Sequence, residues 1–259
     1  MSVTPHRGET RDDAPTPPAP RQEADARSFA HAEAVVRRIV AERHDRPSLV
    51  SRIACEIGAE IIEQWRLPGD DLNSVELSRR YRTSRTPIRE ALMLLEKEGL
   101  VDVPPRRRPR VSAPAIEEIR EIYHARAALF ELIAVDVARQ AASADIASLQ
   151  APLDDMARAY GSGRLSDFVW ANVEFYDRNT QLANNRVVKR ILDSLLLRTL
   201  RLRRLSLSQP GRLRSSLDDN TRLLRAYQDR DANLAAALIR SNHINALAAL
   251  EAHFAPKPV

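Results

Sequence analysis

Residues Thr83 to Leu100, TSRTPIREALMLLEKEGL, constrain this chain more than any other stretch. Ser84 or Thr83 stands where a helix N-cap belongs, and Pro87 falls in the first turn, where its missing N–H costs nothing. Ile88, Ala91, Leu92 and Leu95 recur at helical spacing and predict one buried stripe. Gly99 then predicts a left-handed terminator. Arg85, Thr86 and Arg89 fall on the opposite side, near the positive end of the helix dipole. Short polar and guanidinium side chains there can meet phosphates and guanine edges when a helix N-terminus enters a major groove. The stretch therefore reads as a recognition helix leading into a wing, with Ser84, Arg85, Thr86 and Arg89 as its DNA-contacting residues.

The flanks agree. Leu49, Ile53, Ile57 and Ile61 share one helical face in LVSRIACEIGAEIIEQW, and Leu67-Pro68-Gly69-Asp70 is a turn. Leu72 to Tyr81 predicts a short helix capped by Asn73 or Ser74, with Leu77 and Tyr81 inward and Val75 and Arg79 toward DNA. Leu100 to Val111 predicts a small hairpin, broken at Pro104-Pro105, with Arg106, Arg107 and Arg108 near its tip as further DNA contacts. Nine arginines fall between Arg79 and Arg110, so the net charge of +5 is concentrated where a phosphate backbone would lie.

Composition bounds the rest. A chain of 259 residues holds two domains and a tail, and five percent aromatic residues with seven glycines in a Leu/Ala/Arg-rich sequence point to helices. No apolar run has the length of a membrane span, and the N-terminus lacks the apolar core of a secretory signal, so a cytoplasmic location is expected. The lone Cys55 excludes an intrachain disulfide and reads as a buried structural thiol. Residues 1–27, rich in proline and charge, predict a disordered tail. Phe29, Val35, Val36, Ile39 and Val40 predict an extra helix within 28–45, either packed on the DNA-binding unit or reaching toward DNA. The winged helix-turn-helix spans 46–112. From 116 to 254 the pattern is helical throughout, with helices over 116–142, 145–160, 165–182, 186–207, 215–229 and 231–253. The expected fold class is mainly α, an N-terminal winged helix-turn-helix plus a C-terminal antiparallel all-helical bundle.

At LPGDDL, LSRRYRTSRTPIREAL, LEKEGLV and EIYHARAALFELIAVDVA the chain resembles the GntR family of bacterial transcription regulators, in the FadR-type branch with an FCD ligand domain. The resemblance covers roughly Leu49 to His253. It implies a homodimer that reads an inverted repeat in double-stranded DNA and answers to a small effector. Many FCD domains hold a divalent metal with one Asp and three His. The resemblance carries these positions onto Asn172, Tyr176, Asn220 and Asn242, with His243 one residue from the last. Neutral amides and a phenol are poor transition-metal ligands without carboxylate or imidazole, so no metal and no cofactor are expected. A shifted site through Glu174, Asp177 and His243 is the alternative. The family's arginine on the first bundle helix falls on Arg126, although Phe130 stands where its glutamate belongs and Glu131 follows. Arg126, Asn172, Tyr176, Asn220 and Asn242 are thus the expected effector contacts, with Arg198 and Arg201 reaching in from another helix. Such a set suits a small polar, anionic molecule. The wing departs from the family at Arg108, where the resemblance expects glycine.

The reading is a ligand-responsive, sequence-specific DNA-binding regulator, a repressor in the commoner family outcome. The alternative is a ligand-independent DNA binder with a degenerate effector domain. No H-E-x-x-H, G-x-S-x-G or phosphate-cradling glycine loop is present, so no residue is assigned a catalytic role and the chain is not expected to be an enzyme.

Overall fold

The computed structural model describes residues 23–41 and 48–255. Its elements run α1 (Glu23–Ala41), α2 (Leu49–Ile62), α3 (Ser74–Arg80), α4 (Arg85–Lys97), β1 (Val101–Asp102), β2 (Arg110–Val111), α5 (Ile116–Gln140), α6 (Ser143–Ala147), α7 (Gln150–Gly161), α8 (Leu165–Leu182), α9 (Arg186–Leu207), α10 (Arg212–Gln228) and α11 (Ala232–Phe254). The fold is mainly α, with a small winged helix-turn-helix ahead of a helical bundle.

Local chemistry sets most of these boundaries. The Ser48 hydroxyl accepts from the Ser51 backbone and the Ser51 hydroxyl answers back to Ser48, a reciprocal cap that starts α2. Asn73 Oδ1 accepts from the Val75 N–H at 2.9 Å and starts α3. Asn184 turns left-handed at φ 51° and Asn185 caps α9 by accepting from the Val188 N–H, so the Asn-Asn pair both ends α8 and begins its successor. The expected helix over 145–160 is divided, because the chain kinks at Ser148–Leu149 between α6 and α7. α10 starts three residues earlier than expected, directly after Gly211 at φ 75°.

The apolar stripes bury as their spacing requires. Ile53, Ile57 and Ile61 of α2 meet Ile88, Ala91, Leu92 and Leu95 of α4, all essentially inaccessible, while Leu49 at the helix start stays exposed. Cys55 is buried among them, and burial raises its thiol pKa. The wing strands pair antiparallel, Val101 with Val111 and Asp102 with Arg110. The LPGDDL turn adds to this sheet: the Gly69 N–H donates to Val111 O, and the Leu72 N–H to Pro109 O. In the bundle, α5 packs along α11, α7 on α8, and α10 on α11 around Phe130, Ile133, Phe168, Phe175, Leu223 and Tyr227.

The extra helix is real and its position is central. α1 begins at Glu23, inside the stretch expected to be a disordered tail; residues 1–22 and 42–47 lie outside the described residues. Ala32, Val36, Ile39 and Val40 bury against α2 and α4, in a cluster that also takes Trp170 and Val173 of α8 and Leu197 and Leu200 of α9. α1 therefore packs on the DNA-binding unit and joins it to the bundle. The arm toward DNA is not what this helix forms. Close approach needs a small residue on α2. A Cβ at Gly58 would meet Val36 Cγ1 at 3.0 Å and Leu95 Cδ2 at 3.2 Å.

Gly58→Val should therefore force α1 off α2 and cost about 1–3 kcal/mol, the usual range for overpacking a filled core. The measurement is urea unfolding by circular dichroism. An unchanged midpoint would show that α1 is not seated as described.

Candidate nucleic-acid interface and ligand cavity

The recognition surface forms as its sequence requires. Arg85, Thr86 and Arg89 are exposed at the start of α4, on the face away from Ile88 and Leu92. Ser84 occupies the N-cap position, but its side chain makes no capping hydrogen bond, so its hydroxyl stays exposed and uncommitted. Val75 and Arg79 of α3 are exposed beside it. Gly99 closes α4 at φ 71°, with the Leu100 N–H returning to Leu95 O.

Two arginines of this unit hold the domain together instead. Glu60, buried on α2, pairs with Arg66 at 2.5 Å and with Arg80 of α3, which also lies over the Tyr81 ring. Arg80 is thereby tied to a buried carboxylate; burial alone would lower its pKa, and the hydrogen bond and charge of Glu60 outweigh that and raise it. In the wing, Arg106, Arg107 and Arg108 are all exposed, and Arg108 Nη1 lies 3.5 Å from Asp71 Oδ2 in a surface ion pair. The left-handed position of the wing is Arg106, at φ 59°, rather than Arg108 where the resemblance places the missing glycine.

The second site is a narrow cavity, open to solvent at its mouth, between α5, α8, α9, α10 and α11. Arg126, Asn172, Tyr176 and Asn242 line it together. Asn220 is fully buried next to it, with Nδ2 at 3.4 Å from the Ser216 hydroxyl, and Ser216 lines the wall. Arg198 and Arg201 do not reach the cavity. Arg198 lies over Gly99, with Nη1 3.6 Å from Glu118, and Arg201 donates to Ser112 O at 2.7 Å. Their place is taken by Arg203 and Arg212, which the sequence reading missed. Arg203 sits about 160° round α9 from Arg201 at 100° per residue. Only the helix phase in the packed bundle could separate them.

The cavity electrostatics are unusual. Arg126 is buried, lies 5.2 Å over the Phe130 ring, and is pushed down to about 10 by burial and by Arg203. Phe130, in the place expected for glutamate, thus gives Arg126 a ring face, while Glu131 pairs outward with Arg240. Arg203 donates to Asn172 Oδ1 at 2.7 Å and lies 5.0 Å over the Tyr176 ring. Tyr176 is pushed up to about 12 by burial and stays a neutral phenol, its hydroxyl buried without a partner. His243 is pushed down to about 3 by burial and by Arg126, so its ring is neutral; Nδ1 donates to Ile239 O at 2.8 Å.

These residues do not fit a divalent metal. Asn172, Tyr176, Asn220 and Asn242 offer neutral donors, and three guanidiniums repel a cation. The shifted set is not assembled either. Glu174 turns outward to Arg178, Asp177 pairs with Arg38 of α1 at 3.1 Å, and only His243 remains at the cavity. Among the described residues no group of three or more His, Cys, Asp or Glu is placed to hold a metal.

Comparison with known proteins places both halves. Residues 49–111 match the family described as bacterial regulatory proteins, gntR family, and residues 121–246 match the FCD domain. The chain is 28% identical over 127 residues to an uncharacterized HTH-type transcriptional regulator, YdhC, of Bacillus subtilis (strain 168), covering 49% of this chain and 57% of that protein. It is 25% identical over 174 residues to the HTH-type transcriptional repressor RspR of Escherichia coli (strain K12), covering 67% and 76%. Its fold is similar to that of E. coli McbR/YncC, with a TM-score of 0.67 at 22% identity, covering 81% of this chain and all of the other. The two domain matches fall on the recognition unit and on the cavity-bearing bundle, and the chain belongs to the GntR family of regulatory proteins, not to a family of enzymes, with an FCD domain as its C-terminal half.

Proposed function

We propose that this protein is a ligand-responsive, sequence-specific transcription regulator, acting as a repressor. In this reading it is a cytoplasmic homodimer whose two α4 helices read the halves of an inverted repeat in double-stranded DNA, with spacing matched to the dimer. No helix among the described residues is long and apolar enough to cross a membrane. Ser84, Arg85, Thr86 and Arg89 face the major groove, and Arg106 and Arg107 face the flanking phosphates. The effector is a small anion held by Arg126, Asn172, Tyr176 and Asn242, with Asn220 supporting the wall through Ser216.

One observation carries the ligand-responsive reading over a ligand-independent binder. α9 lines the cavity through Arg203 and grips the DNA-binding unit through Arg198 over Gly99, Arg201 on Ser112, and Arg204 at 3.1 Å from Glu63. A ligand that shifts α9 must move the end of the recognition helix and the base of the wing. A response follows only where the two arrangements bind the ligand with different affinity, and Arg203 is the group that supplies that difference.

Three measurements test the proposal. Arg89→Ala should weaken operator binding by about 1–3 kcal/mol in gel-shift titration, the range for loss of one bidentate base contact. Operator affinity equal to the parent in a folded variant would remove Arg89 from the interface. Joint replacement of Arg106 and Arg107 by alanine should weaken specific and nonspecific binding alike, and lower the salt slope by about one per lost phosphate contact. Arg108→Ala should do less, because Asp71 already holds that charge. A changed base preference at constant slope would instead make the wing a sequence reader. Elemental analysis of untagged protein should find no stoichiometric zinc, nickel or manganese; about one metal per chain, lost in His243→Ala, would show that a site survives.

A further inference from the structure

Three guanidiniums from three helices meet at the bundle cavity: Arg126 of α5, Arg203 of α9 and Arg212 of α10. Among the described residues none of them makes an ion pair. Arg212 Nε is buried with no hydrogen-bond partner, and Arg126 rests only on the Phe130 ring. Arg203 has a neutral amide, Asn172, in place of a carboxylate. Buried charges in folded proteins are ordinarily paired, so two buried guanidiniums and a half-buried third, none with a counter-ion, are costly around one cavity unless something negative joins them.

Every other charge facing this group can be named. Asp219 of α10 is the one carboxylate that acts on Arg212 and Tyr176, and it also interacts with Asn245. Beyond the wall formed by Arg126, Tyr176 and Arg203, a second hollow is lined by Asp177 and Asp193. Those two are neutralised by Arg38 at 3.1 Å and by Lys189 at 2.5 Å. Three positive charges against one negative leave two uncompensated. The neutral groups point the same way, since the Tyr176 hydroxyl and Asn242 Nδ2 line the cavity, are buried, and have no partner. Both can donate to oxygens of an anion. His243, which donates through Nδ1 to the backbone, leaves Nε2 as an acceptor for a hydroxyl.

We infer that this cavity takes a small anion carrying two negative charges, a dicarboxylate or a phosphate monoester, clamped by Arg126, Arg203 and Arg212 without a metal. The inference rests on the effector-cavity reading and specifies its chemistry. Arg203 and Arg212 are what separate a dianion site from a site for a single carboxylate. Burial lowers the pKa of all three arginines and Arg203 lowers that of Arg126 further, and a bound dianion opposes both effects.

The test uses the full-length protein, with thermal unfolding and calorimetric titration at matched ionic strength. The dianion probes are succinate, malate, glycerol 3-phosphate and inorganic phosphate. The controls are lactate and glycerol. At least one dianion should raise Tm by several degrees at about 10 mM and bind about tenfold or more tighter than lactate. The dicarboxylate and phosphate arms then identify the source of the charge. Arg212→Gln and Arg126→Met should each weaken that binding about tenfold or more and raise the Tm of the ligand-free protein, because each removes an unpaired buried charge. A merely structural arginine would lower it. Lactate binding as tightly as the best dianion, with the same dependence on Arg126, would overturn the dianion inference and leave the effector cavity standing. No shift from any dianion would overturn the inference whatever the variants do. Loss of Tm in both arginine variants would add that these side chains are structural and would remove the effector reading as well.

Discussion

Much of the architecture hangs on one buried serine. The Trp170 indole N–H of α8 donates to Ser28 Oγ at 2.8 Å, and the Ser28 hydroxyl donates to Glu63 Oε2 at 2.8 Å. Arg204 of α9 lies 3.1 Å from the same carboxylate oxygen as its counter-ion. Four helices, α8, α1, α2 and α9, are thereby fixed to one another by two hydrogen bonds and an ion pair in a nearly dry setting, where misplacement is costly. Around it, Phe29 stacks on Trp65 at 4.7 Å and His31 on Trp170 at 5.7 Å. The domain interface is therefore not a free hinge. It is a packed seam with a polar pin, and it belongs to α1, a helix lying outside both matched family segments.

That seam gives the cavity a mechanical route to the recognition helix. α9 is amphiphilic in an unusual sense: one side bears Arg203 against Asn172 and Tyr176, another bears Arg198, Arg201 and Arg204 against the DNA-binding unit. Gly99 is pinned from two directions, by its left-handed backbone and by Arg198, whose Nε would lie 2.3 Å from an added Cβ. The residue that ends the recognition helix thus also receives the bundle. Packed elements move as rigid bodies between discrete arrangements, so a small displacement of α9 reaches α4 without a flexible intermediary.

The cavity inverts the electrostatics that the family resemblance implies. Where a metal site would need carboxylate and imidazole, this chain has amides, a phenol and a neutral imidazole, ringed by guanidiniums. Positive charge comes from side chains instead of an ion. The consequence for recognition is geometric: guanidiniums are planar forks with fixed donor directions, so they select planar or tetrahedral oxyanions by shape as well as charge.

The recognition helix, its cap position, its apolar stripe and its glycine stop were legible in the sequence because they depend on residues within four positions of each other. So were the breaks at Asn184-Asn185 and Gly211, where backbone conformation follows residue type. Arg126, Asn172, Tyr176 and Asn242 could be named because a resemblance carried them across, one residue at a time. What only the tertiary structure decided is which arginines do which work. Arg80 is one of nine arginines in the recognition unit, and only the fold brings it to the buried Glu60 carboxylate of α2. Arg198, Arg201 and Arg203 are equivalent in sequence, and only the rotation of α9 in the packed bundle sends one inward and two toward the DNA-binding unit. A guanidinium carries the same charge everywhere; its function is set by the partner that folding brings within reach, and that partner is distant in sequence.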